Sequence, residues 1–226
     1  MNTSSQQITQ LYLFHFKKHR FWAFSQMGLG YRHLVHVSGL SFVKLLGTGG
    51  GSGFSLRPDF STYGLLLVWK NADYAEAFED NTLLSAYKER AFSYRKLGLQ
   101  NYKSQGLWSG QQPFEAGTAM RPDAPVAIIT RATLRWNRLW SFWRNVPKAS
   151  RSIEAAKGVT FFKGIGEWPF IQQATISLWT NQKAVMEFAY RQKAHAEIVK
   201  KTRQKKWYAE DLFARFHILD EETHSR

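Results

Sequence analysis

Apolar residues along this chain fall into short runs of two kinds. In "QITQLYLFHF" (7–16), "GLSFVKLLG" (39–47) and "LLLVW" (65–69) they alternate with polar residues or run unbroken, as in half-buried and buried strands. The aromatic-rich "RFWAFSQM" (20–27) predicts a helix, a second helix opens near Asn71, and "LQNYKSQGLW" (99–108) predicts a closing strand. The order is β-α-β-β-α-β, a ferredoxin-like unit. It then recurs, through "PVAIITRATLR" (125–135), "RLWSFWRN" (138–145), two apolar strands, a helix opening near Asn181 and the strand "DLFARFHIL" (211–219).

The recurrence extends to individual residues. "GLSFVKLLG" (39–47) matches "GVTFFKGIG" (158–166), and "RFWAFSQM" matches "RLWSFWRN". "LLLVWKNADYAEAF" (65–78) matches "ISLWTNQKAVMEF" (176–188), which pairs Trp69 with Trp179 and Phe78 with Phe188. Neither half alone can cover both faces of its sheet, so the two should pack as a pseudo-dimer within one structural domain, residues 1–226. The expected parts are a first half (1–108), a Pro- and Gly-rich linker (109–125) and a second half (126–226).

The halves differ in two places. Between its middle strands the first half carries "TGGGSGFSLRPDFST" (48–62), whereas the second has only "EWPF" (167–170). Such an insertion is a lid, a binding loop or a plain flexible connection, and without GK[ST] it is no phosphate loop. In the last helix, Val185, Phe188, Gln192, His195, Val199 and Thr202 share one face, which should turn inward. A buried imidazole needs a partner, and for His195 this is a backbone carbonyl, a neighbouring polar side chain or a metal. Counting from Phe78 and Phe188 sets Ser85 opposite His195, so only the second half has a histidine there.

Composition narrows the chemistry. No cysteine is present, which excludes disulfides, thiolate metal sites and cysteine nucleophiles. The start lacks a signal-peptide pattern and no run of about 18 apolar residues occurs, which predicts a cytoplasmic protein and no integral membrane span. With 31 Lys and Arg against 17 Asp and Glu, the net charge of +14 favours anionic partners: nucleic acid, acidic lipid or an acidic protein. No nucleic-acid motif accompanies it, and the aromatics lie in core-patterned elements, so no nucleic-acid partner is expected. Aromatic residues make up 15% of the chain, enough to build a site for a large apolar ligand or an aromatic-rich core.

Several long segments resemble the spheroidene monooxygenase family of heme-containing carotenoid ketolases. They are "FWAFSQMGLG" (21–30), "FVKLLGTGGGSGF" (42–54), "GLWSGQQPF" (106–114), "ITRATLR" (129–135), "FKGIGEWPF" (162–170) and "WYAEDLFARFHIL" (207–219). The resemblance implies an α+β fold of two tandem ferredoxin-like repeats forming a pseudo-dimeric barrel of the dimeric α+β barrel group. It also implies a heme-dependent monooxygenase that turns an acyclic carotenoid into a ketone by successive hydroxylation, with O2 and reduced ferredoxin. The barrel group includes heme enzymes whose axial ligand is a histidine of the second half, so His195 becomes the candidate iron ligand of a heme b, with Gln192 one turn away.

Heme propionates want cationic partners. Arg131 and Arg135 point to the same side of one strand, two pleats apart, either as propionate partners or as edge arginines. Gln26, Gln173 and Ser109 are candidates for the oxygen-activating side. Lys44 and Lys163 occupy matching positions and should share a structural role, while Trp136, Trp140 and Trp143 form a stripe that packs in the core or lines a polyene site. His15 with His19, and His33 with His36, have spacings a metal could use but lack a third ligand, and His217 is explained by packing or exposure on a sheet face. A long apolar substrate would enter near the 48–62 loop, and the basic surface would dock an acidic electron donor such as ferredoxin or an anionic membrane, placing the protein at the periphery of the inner membrane. The alternatives are a heme protein of the same scaffold with dehydratase- or peroxidase-like chemistry, and a non-enzymatic binding module.

Overall fold

A computed structural model of the chain describes residues 6–51, 57–144, 153, 155–168, 170–191 and 207–226. The first half contains β1 (Ile8–His15), α1 (Arg20–Leu29), β2 (Leu40–Gly49), β3 (Pro58–Trp69), α2 (Ala72–Ala77), α3 (Thr82–Arg90) and β4 (Ser93–Gly106). The second contains β5 (Val126–Leu134), α4 (Leu139–Trp143), β6 (Val159–Trp168), β7 (Gln172–Trp179), α5 (Gln182–Arg191) and β8 (Tyr208–Ser225). All strand pairs are antiparallel, and the order β1-β3-β2-β6-β7-β5-β8-β4 closes on itself as a barrel. Each half is thus a four-stranded ferredoxin-like sheet, and the two join edge to edge. No helix of the described residues is long and apolar enough to cross a membrane.

The repeat holds at the level of register. In the first half Leu40 pairs with Trp69, a bulge follows, and Phe42 through Gly47 pair with Val68 through Tyr63. In the second half Val159 pairs with Trp179, a bulge follows, and Phe161 through Gly166 pair with Leu178 through Gln173. Asn71 caps α2 by accepting from the Tyr74 amide at 3.2 Å, and Asn181 accepts from the Ala184 amide at 2.9 Å. Trp69 packs on Phe78 at 5.0 Å between ring centres, and Trp179 on Phe188 at 5.2 Å.

Three expectations need correction. The first-half helix does not run on from Phe78: a 3₁₀ turn (Phe78–Asp80) follows, and Asn81 caps a new helix by accepting from the Leu83 amide at 2.9 Å. That break precedes Ser85, and its expected counterpart His195 lies outside the described residues. Of the insertion at 48–62, residues 48–49 and 58–62 are strand, since β2 and β3 pair outward as far as Gly49 and Pro58, and residues 52–56 lie outside the described residues. The stripe of Trp136, Trp140 and Trp143 is not core: a 3₁₀ turn precedes α4, Phe142 turns inward, and Trp136 and Trp140 are exposed.

The bore of the barrel is filled by side chains of both sheets, among them Leu11, Leu66, Leu97, Ile129, Ile176 and Phe216. Trp108 stoppers it, fully buried against Phe42. The halves meet along two lines of unequal length. β4 and β8 pair from Ser93–Ser225 to Gly106–Leu212, whereas β2 and β6 pair only at Gly47–Gly166 and Thr48–Ile165.

The matching lysines clasp that short seam from within. Lys44 of the first half bonds Glu167 of the second at 2.7 Å, and Lys163 of the second pairs with Asp59 of the first at 3.4 Å. Each lysine therefore reaches a carboxylate of the other half, which is the structural role common to both repeats. Glu167 also accepts from the Trp108 indole at 2.6 Å, tying the stopper to the seam. Removing one partner leaves the other charge nearly buried, which is strongly destabilising. Glu167→Gln is expected to lower the unfolding free energy in urea by about 3 kcal/mol. Asp59→Asn, at the longer and wetter pair, should cost about 1 kcal/mol.

Candidate functional site

Because the two halves share one register, their outer sheet faces can be compared residue by residue. In the first half the outer face presents Tyr12, Phe14, Leu45, Tyr63, Leu65 and Leu67, packed in one apolar cluster beneath the helices. The register-equivalent residues of the second half are Thr130, Ala132, Gly164, Gln173, Thr175 and Ser177. Every one of these exchanges removes bulk; at Val43 and Phe162 the exchange runs the other way. The small residues are not an open polar surface. Thr130 and Thr175 bond each other at 2.7 Å, and Ser177 accepts from the Trp179 indole at 2.9 Å, so their hydroxyls are satisfied within the sheet. The result is an outer sheet face with less side-chain bulk than its first-half counterpart, with Ala132, Thr175 and Ser177 buried.

Among the described residues, the apolar cluster beneath α5 includes Val126, Ile128, Ala156, Trp179, Val185 and Phe188. Burial of Val185 and Phe188 sets the inward face of α5 where helical spacing predicted it. Gln192 and His195, the next members of that face, lie outside the described residues.

Beside this face, over the short β2–β6 seam, runs a cleft of about 160 Å³. Its base is glycine-rich, with Gly47, Gly164 and Gly166, and aromatic side chains including Phe24, Phe60, Trp168 and Phe170 line it. Gly166 is required, since a Cβ there would lie 2.5 Å from the Gln172 carbonyl oxygen. Gly164 and Gln173 belong to both face and cleft, so the two are continuous. Tyr63 also lines the cleft, buried, with no hydrogen-bond partner for its hydroxyl.

The structure separates the two arginines expected on one face. Arg131 points into the bore, where Glu210 holds its guanidinium beneath Trp108. Glu210 is braced by the Ser109 and Gly110 amides at 2.9 and 2.7 Å. Burial alone would raise its pKa, but these amides and Arg131 hold it below the usual carboxylate range. β5 ends at Leu134 after a register shift, and Arg135 stands exposed beyond it, its Nε donating to the Tyr208 carbonyl at 3.1 Å. The three polar candidates also separate. Ser109 is consumed, its hydroxyl accepting from Lys44 at 2.7 Å, and Gln26 is buried in α1 beside Ser25. Gln173 alone of the three stands in the cleft. Among the described residues no group of three or more His, Asp or Glu could hold a metal ion.

No protein-family model matches the chain. Spheroidene monooxygenase of Cereibacter sphaeroides is 31% identical over 217 residues, spanning 94% of this chain and 67% of that protein. The spheroidene monooxygenase of Rhodobacter capsulatus is 31% identical over 204 residues, spanning 89% and 85%. The chain belongs to the spheroidene monooxygenase family. Among solved structures, an aldoxime dehydratase in complex with butyraldoxime superposes with a TM-score of 0.64 at 11% identity, over 98% of this chain and 84% of that one. A second aldoxime dehydratase gives 0.61 at 9% identity, over 98% and 86%. These likenesses are of fold alone.

In this member of the spheroidene monooxygenase family, the segments that carried the resemblance meet around the seam. "GLWSGQQPF" supplies the stopper Trp108 and the amides that hold Glu210, and "FKGIGEWPF" supplies Lys163, Glu167 and the cleft wall. Elsewhere His15 contacts the Thr62 hydroxyl at 3.3 Å, and His33 and His36 are exposed. His217 is buried, stacked on Tyr102 at 4.5 Å. Its Nε2 faces the Ala119 carbonyl at 3.1 Å and the Arg121 amide at 3.3 Å, while Nδ1 has no partner.

Burial holds the His217 pKa below the ordinary histidine range, so the folded protein keeps the ring neutral. The unfolded chain takes up a proton as pH falls through about 6.5, which the folded state resists. Stability should therefore be full above that pH and decline below it. Thermal melts between about pH 7.5 and 5.5 should show this decline, and His217→Phe should flatten it.

Proposed function

We propose that this protein is a heme-dependent monooxygenase that oxidises an acyclic carotenoid by successive hydroxylation to a ketone. Family membership supports the oxygenase chemistry and the carotenoid substrate. The observation that carries the cofactor assignment is the exchange of six large outer-face residues of the first half for Thr130, Ala132, Gly164, Gln173, Thr175 and Ser177 in the second. A sheet face that forgoes bulk at equivalent positions is suited to receive something else.

The helical spacing that turns Val185 and Phe188 inward points to His195 as the axial ligand, with Gln192 one turn before it to orient the ring. Arg131 is withdrawn into the bore by Glu210, which leaves Arg135 as the arginine of the pair free to meet a propionate. Bound heme supplies the activation of O2 and the transfer of one oxygen atom to carbon. The chain's part is to bind, orient and exclude water. Phe24, Phe60, Trp168 and Phe170 grip an apolar chain, and a cleft of about 160 Å³ takes the end of a long molecule rather than the whole of it. Gln173 and the unpartnered Tyr63 hydroxyl offer the polar contacts that could register an oxygen-bearing end group. The net charge of +14 suits an acidic electron donor such as ferredoxin.

Protein purified from heme-supplied cells should show a Soret band and convert acyclic carotenoids in co-producing cells to oxygenated products detectable by mass analysis. His195→Ala should remove the band. The double variant Thr175→Leu, Ser177→Leu returns first-half bulk to this face and should retain less than a tenth of the bound heme, with circular dichroism checking that it is folded. Full heme content in both variants would refute the assignment.

A further inference from the structure

The segments that reach the cleft also carry aromatic side chains that the fold leaves in water. Trp136 and Trp140 are 76% and 79% exposed, four residues apart, on one side of the short 3₁₀ turn and α4. Trp143 follows, its indole donating to the Phe170 carbonyl at 3.1 Å and its ring meeting that of Phe170, which lines the cleft. From the first half, Phe21 is 83% exposed on α1, and Phe24 one turn on meets Phe60 at the same cleft. Phe170 holds a left-handed backbone (φ +69), unusual for a bulky residue and tolerated at functional sites.

An apolar surface of this kind marks a contact site, and its charge says with what. Arg135, Arg138 and Arg144 are exposed along the tryptophan-bearing segment. The acids of the cleft, Asp59 and Glu167, are each held by a lysine and present no free negative charge. Against a second copy of this chain the same arginines would face one another, on a molecule of net charge +14, so self-association through this face is disfavoured. Tryptophan beside arginine is the composition that settles at a bilayer interface, the indole at headgroup depth and the guanidinium on lipid phosphates.

We infer that the surface formed by Trp136, Trp140, Arg138 and Phe21 docks on an anionic lipid bilayer and sets the cleft mouth against the membrane. The inference rests on the proposed function for its purpose, delivery of a lipid-dissolved chain straight into the cleft, but the docking itself requires neither heme nor turnover. No helix need insert, because the contact is interfacial.

The test is flotation of the purified protein with vesicles of phosphatidylcholine alone or mixed with phosphatidylglycerol, read without reference to heme content or activity. The wild type should float with the mixed vesicles and far less with the neutral ones. Trp136→Ala with Trp140→Ala should cut partitioning about tenfold, and Arg138→Ala roughly fivefold. Circular dichroism and melting temperature should stay unchanged in these surface variants. Tryptophan fluorescence should be quenched by brominated phosphatidylglycerol in the wild type and much less in the double tryptophan variant. Failure to float, equal flotation of the variants, or a wild-type dimer in sedimentation that the tryptophan variant loses would each overturn the proposal.

Discussion

The architecture depends on closing two four-stranded sheets into one barrel across a seam only two residue pairs long. Backbone hydrogen bonds at Gly47–Gly166 and Thr48–Ile165 are too few to hold two edges together against water. The bore supplies what the backbone does not. Lys44 and Lys163, at the same position of each repeat, cross the seam in opposite senses to Glu167 and Asp59. In a bore filled mainly by apolar side chains, where Arg131 and Glu210 satisfy each other, these charges have few other partners, so they fix the relative placement of the halves. The opposite junction, long and continuous between β4 and β8, needs no such clasp.

A short, glycine-rich seam has a second consequence. With no side chains at Gly47, Gly164 and Gly166, the outer surface dips into a cleft just where the two halves meet. The half on one side keeps a filled outer core and carries stability. The half on the other has given up six large residues at equivalent positions and carries the candidate site. One register serves both halves: the common scaffold holds the sheet geometry while the side chains on its outer face differ.

Much of this was legible in the order of residues. The repeat, the β-α-β-β-α-β order, the helix starts near Asn71 and Asn181, and the matching of Trp69 to Trp179 and Phe78 to Phe188 all follow from local pattern. So did a common role for Lys44 and Lys163, though not their exchange of partners. The smaller outer face of the second half was also available by setting "LLLVW" against "TISLW" with strand alternation, since Leu65 and Leu67 then stand opposite Thr175 and Ser177.

Other features depended on contacts between distant segments. Arg131 and Arg135 look equivalent along a strand, but a register shift ends β5 before Arg135, and Glu210, 79 residues beyond Arg131, draws Arg131 into the bore. The tryptophan stripe reads as core by spacing alone, yet Phe142 is the residue of that helix that meets the buried Trp207, leaving Trp136 and Trp140 outside. The sequence by itself determined the elements, the duplication and the chemistry of the strands, because those rest on alternation, helical spacing and capping within a few residues. Which charges pair, which aromatics stay wet and where the cleft opens were decided only by tertiary structure, because each is set by which strand edge closes on which.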